Sequence, residues 1–489
     1  MKNLNGVDFT DENIQTLFGF EDAESESIAR LKEYYLKRDT YDRVIADLPI
    51  RILVGHKGTG KSALFKVAIS EEREKGHLPI LVKPDDIAEL GKSDENFLLR
   101  IRQWKWGLNK IIGEKVFNEL GLYNEELASK ITKFGVKLTS LIFDTVKSVK
   151  DKITLLPSQK LLMENVLKTN RITVYIDDLD RGWKGTQDDI IRISALLNCI
   201  RDLANENENL FFRISLRSDV YFLVRTSDES TDKIEGSVVW FSWKNHEILV
   251  MLIKRILTFF GEPFDETILL NSKQKDIKFH LDHIMESHFS GSGKWANVPM
   301  YKILMSLIRK RPRDLVKLCT LAARKAKLNK SRLIRTIDFQ SIFEEYSQGR
   351  IQDTINEFKS ELPNIENLLF GMKPSKKVSP RYADSFVFTT VDLYQKITNI
   401  MECNQFVLAN NKAADKKTLA QFLYKINFLT ARKQIDGGEI DRKYFEENRY
   451  LSSSFVDFGY DWEIHPAFRW ALKPDSLYNI FDKLSLSSD

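Results

Sequence analysis

Residues 52–65 read ILVGHKGTGKSALF. An apolar run, Ile52 to Val54, ends at Gly55. It passes through Gly55-His56-Lys57-Gly58-Thr59-Gly60-Lys61-Ser62 and resumes with Ala63, Leu64, Val67 and Ala68 at helical spacing. The stretch fits Gly-x-x-x-x-Gly-Lys-Ser, the P-loop pattern. Glycines let the backbone bend so that successive N–H groups face a β-phosphate. The helix that follows adds its positive N-terminal end. Lys61 reaches the β- and γ-phosphates, and the Ser62 hydroxyl ligates Mg²⁺. Gly55 through Ala63 are therefore the expected nucleotide-binding residues. His56 among them has no physical account from sequence.

A matching acidic strand lies downstream in RITVYIDD, residues 171–178. Val174 to Ile176 are expected to be buried, so Asp177 emerges at the carboxyl edge of the sheet, where such folds bind ligands. Asp177 is read as the second Mg²⁺ ligand. Asp178 is read as the group that accepts a proton from the attacking water or orients it. Asp180 and Arg181 are read as a salt bridge shaping the loop. In LFFRISLRS (210–218), Ser215, Arg217 and Ser218 stand where the chain leaves the sheet. Arg217 there is either a γ-phosphate sensor or a surface arginine. Arg313, in RKRPRDLVKL, opens a helix beyond the core and can reach back to the nucleotide. The expected catalytic set is thus Lys61, Asp178, Arg217 and Arg313, with Ser62 and Asp177 on the metal.

The strands that frame these residues are 50–54, 78–86, 171–178, 210–218 and 237–243. Each is a near-continuous apolar run, and helical patterns alternate with them. That predicts an α/β P-loop core, a parallel sheet with helices on both faces. The expected organisation is an N-terminal helical segment (1–46, with one unbroken helical pattern over 26–46), a core (47–245) carrying a helical insert (95–168), and a helical lid (246–370). Within the lid, helices are predicted over 246–261, 275–289 and 298–328. A Lys/Pro/Ser-rich linker (371–383) leads to a winged-helix-like α+β domain (384–489).

Bulk properties exclude several classes. The chain has 489 residues, 43% of them hydrophobic, and a formal charge of +5. It can bury real cores and is not disordered in composition. Three widely spaced cysteines, Cys199, Cys319 and Cys403, make no disulfide framework. With no signal-peptide pattern and no long apolar run, a cytoplasmic protein without a membrane span is expected.

GHKGTGKSAL, VYIDDLDRGW, FRISLRSDVY, VVWFSWK and RPRDL occur in that order. Together they resemble the KAP and STAND groups of AAA+-like P-loop ATPases. FGFEDAESE (18–26) and WEIHPAFRW resemble a prokaryotic branch near these groups, found in mobile or antiphage-defence loci. The resemblance implies ATP rather than GTP, hydrolysis, self-association and signalling to an effector or sensor partner. It departs from KAP members in having no membrane span in the 95–168 insert.

Three further stretches carry open readings. FGVKLTSLIFDTVKSVKDKI (134–153) is a basic amphipathic helix, suited to packing on the core or another subunit, or to lying on a membrane. Residues 301–335 hold twelve Lys or Arg and one acid, Asp314, either a DNA-binding patch or a solvated lid. His280, His283 and His288 place two imidazoles on one helical face with no third ligand in register, so a metal site is rejected. Arg225 and Arg255 are candidates to complete a neighbouring subunit's site in trans. The functional expectation is an ATP- and Mg²⁺-dependent switch that couples nucleotide state to homo-oligomer assembly and partner signalling in antiviral defence. A DNA-handling ATPase of loader or initiator type is the alternative.

Overall fold

Five short apolar runs form one parallel sheet in the computed structural model, which describes residues 6–91, 96–119, 170–227, 229–374, 386–409, 411–435, 440–448, 451 and 459–473. The strands are β1 (Ile50–Val54), β2 (Leu78–Val82), β3 (Ile172–Ile176), β4 (Leu210–Leu216) and β5 (Val238–Trp240). They lie in the order β2-β3-β4-β1-β5, every neighbour parallel. Every residue of β3 and β4 is buried, as expected when helices cover both faces. Alternation assigns the faces. Ile52, Val54, Val174 and Ile176 join one core with Trp104 and Leu108 of the Phe97–Glu119 helix and Leu196 of the Gln187–Glu206 helix. Tyr175 points the other way, its ring 5.1 Å from Phe65 of the Lys61–Glu74 helix. Pro79 sits inside β2 because β2 is an edge strand and needs no donor on its outer side.

By contacts the chain divides into two units. The sheet unit comprises Lys37–Lys57 and Lys61–Phe241. The larger unit comprises Met1–Leu36, Gly58–Gly60 and Ser242–Asp489. Its core gathers Ile253, Phe289, Trp295, Leu304, Leu318, Phe343 and Tyr346. Its C-terminal part is α+β: helices Thr390–Met401 and Lys416–Lys425 with an antiparallel sheet of Ile440–Lys443, Leu429–Gln434, Asp461–Ile464 and Val387–Phe388. Among the described residues no helix is long and apolar enough to cross a membrane. The insert beyond Glu119, including 134–153, and the linker from 375 onward lie outside the described residues.

Three predicted helices are interrupted, two for tertiary reasons and one by a proline. The 26–46 pattern splits into Ile28–Tyr34 and Asp39–Ile45. Lys254 donates to the Tyr35 carbonyl at 2.7 Å, taking the acceptor a continuing helix would use. The 275–289 stretch is one α-turn, Gln274–Ile277, then a 3₁₀ segment, Lys278–His283, then the strand His288–Ser290. The backbone at Ile284 and Glu286 pairs with Ile334 instead of with itself. The 298–328 stretch becomes Met300–Leu307 and Pro312–Leu328. Pro312 at the first helical position lacks an N–H and keeps Arg311 extended, while Lys310 turns the chain at φ +52°.

Candidate functional site

Register places the site. Val54 pairs with Leu216, and Ile176 pairs with Ile214. The next residues outward therefore form one row at the carboxyl edge: Gly55 after β1, Asp177 after β3, and Ser215 to Arg217 at the end of β4. Two hydrogen bonds fix that row. Gly55 N–H donates to the Leu216 carbonyl at 3.1 Å, and the Ser215 hydroxyl donates to Asp177 Oδ1.

The loop between β1 and its helix needs two glycines. Gly58 and Gly60 have φ of +80° and +99°, where a Cβ is strained. His56 and Thr59 are buried, whereas Lys57 is exposed. Burial explains why His56 can face inward, and the structure assigns it no chemistry. Lys61 opens the Lys61–Glu74 helix, and its ammonium bends back to the carbonyls of Gly55 at 2.8 Å and His56 at 3.1 Å. Ser62 and Ala63 follow in the first turn. A cation at a helix N-terminus beside a glycine-bent loop is a fitting cradle for a polyphosphate.

The acidic loop is more ordered than its sequence suggests. Asp177 accepts from the Asp178 N–H at 3.0 Å. Asp178 is exposed and held at φ +61°, a left-handed conformation that aspartate tolerates better than most residues. Arg181 N–H closes a turn onto the Asp178 carbonyl at 2.9 Å. The ion pair read between Asp180 and Arg181 is not the one formed. Asp180 faces Arg217 at 3.6 Å. Burial pushes the Asp180 carboxyl above its usual range, opposed by the charges of Arg217 and Lys61.

Arg217 is not a surface arginine. It is buried and grips Asp219, with Nε donating to Oδ1 at 3.0 Å and Nη2 to Oδ2 at 2.6 Å. This clamp occupies the guanidinium edge a free phosphate sensor would present. Asp219 was missed in the sequence because an acid two residues after an arginine, in the first turn of the Ser218–Ser227 helix, reads as a capping charge.

Within the larger unit, Gly58–Gly60 meet two of its other parts. Trp243 donates its indole N–H to the Thr59 carbonyl at 2.7 Å. Arg313 N–H points at the Gly58 carbonyl at 3.4 Å, and a Cβ on Gly58 would stand 3.1 Å from Arg313 Cβ. Arg313 Nε donates to the Glu21 carbonyl at 3.0 Å. Its neighbours in RPRDL are structural. Asp314 is buried and accepts from Arg309 Nε and Nη2 at 2.8 and 3.0 Å and from Arg350 Nη1 at 2.8 Å. Burial alone would raise the Asp314 carboxyl, but Arg309 and Arg350 hold it well below its usual range.

The basic stretch 301–335 is largely neutralised from within. At least seven of its twelve cations have acidic partners among the described residues: Arg309, Lys310, Arg311, Lys317, Arg324, Lys327 and Arg335. Of the two arginines considered for action in trans, Arg225 pairs with Glu235 at 2.7 Å. Arg255 is turned inward, against the Phe18 carbonyl and over the Tyr34 ring at 4.4 Å, which removes it as a surface finger.

No protein-family model and no curated protein matches the chain. Solved structures align along most of it at low identity. The Walker-type ATPase PABY2304 of Pyrococcus abyssi is 11% identical, with 90% of this chain and 96% of that chain covered and a TM-score of 0.43. The Aeropyrum pernix ORC2 protein, solved in ADPNP–ADP complexes, is 10% identical over 92% of this chain and 94% of that chain, TM-score 0.39. The Aeropyrum pernix ORC1 protein in complex with DNA is 11% identical over 87% and 93%, TM-score 0.36. The assignment of an α/β P-loop core rests on this chain's own parallel sheet and glycine loop.

Proposed function

We propose that the chain binds and hydrolyses ATP and uses the bound nucleotide as a switch for self-assembly and for signalling to a protein partner. The supporting observation is the single row at the sheet edge: the loop after β1, Asp177 after β3, and Ser215–Arg217 at the end of β4. Gly55 to Ala63 would cradle the phosphates, with Lys61 leaving its carbonyl partners for the β,γ-phosphates. Ser62 and Asp177 would hold Mg²⁺, which when bound neutralises the phosphate charge. Ser215 orients the Asp177 carboxylate for that task. Asp178, exposed beside Asp177, accepts the proton of the attacking water. Arg217 does not act as a free sensor in this reading. It positions Asp180, whose charged form the Lys61 ammonium also favours. Arg313 is the lid residue that senses the loop.

A role in antiviral defence follows from the sequence resemblance and is part of the same proposal, with ATP preferred over GTP on that ground. Contact with DNA is the weaker reading, because the basic stretch offered for it spends seven cations on acids of its own chain.

The test measures nucleotide binding and particle mass on the same samples. Wild type should bind ATP tightly and gain mass with a non-hydrolysable ATP analogue but not with ADP. Lys61→Ala should lose binding, and Arg313→Ala should bind without gaining mass. Unchanged affinity in Lys61→Ala removes the P-loop assignment; equal mass in every sample removes nucleotide-driven assembly.

A further inference from the structure

Far from the glycine loop in sequence, Glu262, His280 and His283 each offer one ligand atom, and these atoms lie within 4.8 Å of one another. From the sequence, His280 and His283 share a helical face and lack only a third ligand in register. The chain is 3₁₀ over Lys278–His283, and in that helix residues i and i+3 eclipse. The two imidazoles are accordingly near-parallel, at 18° with ring centroids 6.4 Å apart. The third ligand comes from outside the helix. Gly261, at φ +71°, ends the Asn245–Phe260 helix in a left-handed cap, and Glu262 N–H is fixed to the Leu257 carbonyl at 2.9 Å. That turn delivers Glu262 Oε1 to 3.7 Å from His283 Nδ1.

Two further observations point to a ligand. The buried Nδ1 of His280 has no hydrogen-bond partner among the described residues. A simple Glu262–His283 ion pair explains two of the three side chains and leaves His280 unexplained. Aromatic rings also hold both imidazoles in place: Phe279 lies 4.0 Å from His280 and Phe260 lies 5.3 Å from His283, centroid to centroid.

We propose that Glu262, His280 and His283 bind a divalent transition-metal ion, Zn²⁺ being the one to test, with water in the fourth position. Two imidazoles and one carboxylate suit Zn²⁺ and not Mg²⁺ or Ca²⁺, which select oxygen ligands. Metal–ligand bonds of about 2.0–2.1 Å give a tetrahedral edge of about 3.4 Å. The 3.7 Å Glu262–His283 separation is already close to that edge, and small side-chain rotations close the rest. The ion would tie the end of the Asn245–Phe260 helix to the Lys278–His283 turn, closing a loop that contains the Glu266–Asn271 helix. Three protein ligands leave one position facing solvent, open to exchange.

The experiment uses the full chain without an affinity tag, stripped with chelator, free of nucleotide, and carrying Cys403→Ser to remove the exposed thiol. Titration with ZnCl₂ by calorimetry should give one ion per chain, and CoCl₂ should give the strong visible absorption of a tetrahedral site. Glu262→Gln and His283→Ala should weaken binding at least ~100-fold, beyond the 10–100-fold expected from losing an outer-shell partner. His288→Ala should leave it unchanged, since His288 Nδ1 is engaged by Ser287. Circular dichroism checks folding, and if the histidine variant is misfolded, the half-buried Glu262→Gln decides. Absence of stoichiometric Zn²⁺ in the parent, or parental affinity in Glu262→Gln, overturns the proposal.

Discussion

Replacing Asp314 with asparagine should destabilise the larger unit by about 3–5 kcal/mol, the cost of removing one partner from a buried ion pair. The carboxylate accepts three bonds from two guanidinium groups and a fourth from Arg309 N–H at 3.2 Å. Asparagine keeps the shape and one acceptor oxygen, but it removes the charge and turns an amide toward two cations. Three charge-assisted bonds at about 1.5–3 kcal/mol each would sum to about 4.5–9 kcal/mol. The lower range is the better expectation, because Arg309 keeps Thr354 at 3.2 Å and Arg350 keeps Asp353 at 2.9 Å. At roughly 2–4 °C per kcal/mol for a large domain, the melting midpoint should fall by about 6–20 °C. Scanning calorimetry at pH 7 measures this, with Arg313→Ala, outside the cluster, as a control expected within about 4 °C of wild type. The carboxyl is depressed in the folded state, so its contribution is present above the unfolded value of about 3.9 and fades as pH falls below it. The difference between wild type and Asp314→Asn should therefore narrow only in acid. A midpoint within about 2 °C of wild type at pH 7 would refute the view that this carboxylate organises RPRDL.

Gly58→Ala should cost about 1–2 kcal/mol through its left-handed φ and press on Arg313, lowering the urea midpoint and weakening nucleotide binding together. Asp178→Asn should keep binding and slow turnover by about 10²–10⁴-fold; if Asp180→Asn in a phosphate-release assay is the slower of the two, the base is Asp180. In the C-terminal sheet, Glu463 is buried, which alone would raise its carboxyl, but Arg442 and Arg469 bring it down to about 2. Glu463→Gln should lose about 3 kcal/mol near neutral pH. The wild-type advantage should vanish as pH falls from about 4.5 to about 2, read from urea midpoints across that range.

The sheet and its loop were legible because parallel strands buried on both faces must be written as continuous apolar runs, and because the loop's glycines are required by backbone angles. What the sequence hid was long-range capture of backbone groups. Nothing near Tyr35 announces that Lys254 will take its carbonyl, and nothing near Ile284 announces its pairing with Ile334. The split at Pro312 was readable from proline alone and was overlooked in favour of the apolar period. Side-chain partners were the least legible. A count of cations over 301–335 looked like a surface patch until Asp11, Glu21, Glu357 and Glu447 arrived from distant sequence. Arg217 was read by position and not by its partner two residues on.

The Thr336–Phe358 helix carries Phe343, Tyr346, Ser347, Arg350, Thr354 and Glu357, spaced so that they share one stripe. The Phe343 ring lies tilted against Trp470 with centroids 4.6 Å apart, and Ser347 Oγ accepts from Ala471 N–H at 2.9 Å. Tyr346 donates to the Leu307 carbonyl at 3.0 Å, Arg350 binds Asp314, and Glu357 pairs with Arg311 at 3.5 Å. One face of one helix thus fastens both the turn before Arg313 and the chain's Trp470–Ala471 segment. In amide hydrogen exchange these three segments should open as a single cooperative block, with a common free energy of opening. A partner that gripped only the C-terminal segment would then slow exchange around Leu307 and Arg311, distant in sequence and untouched by it.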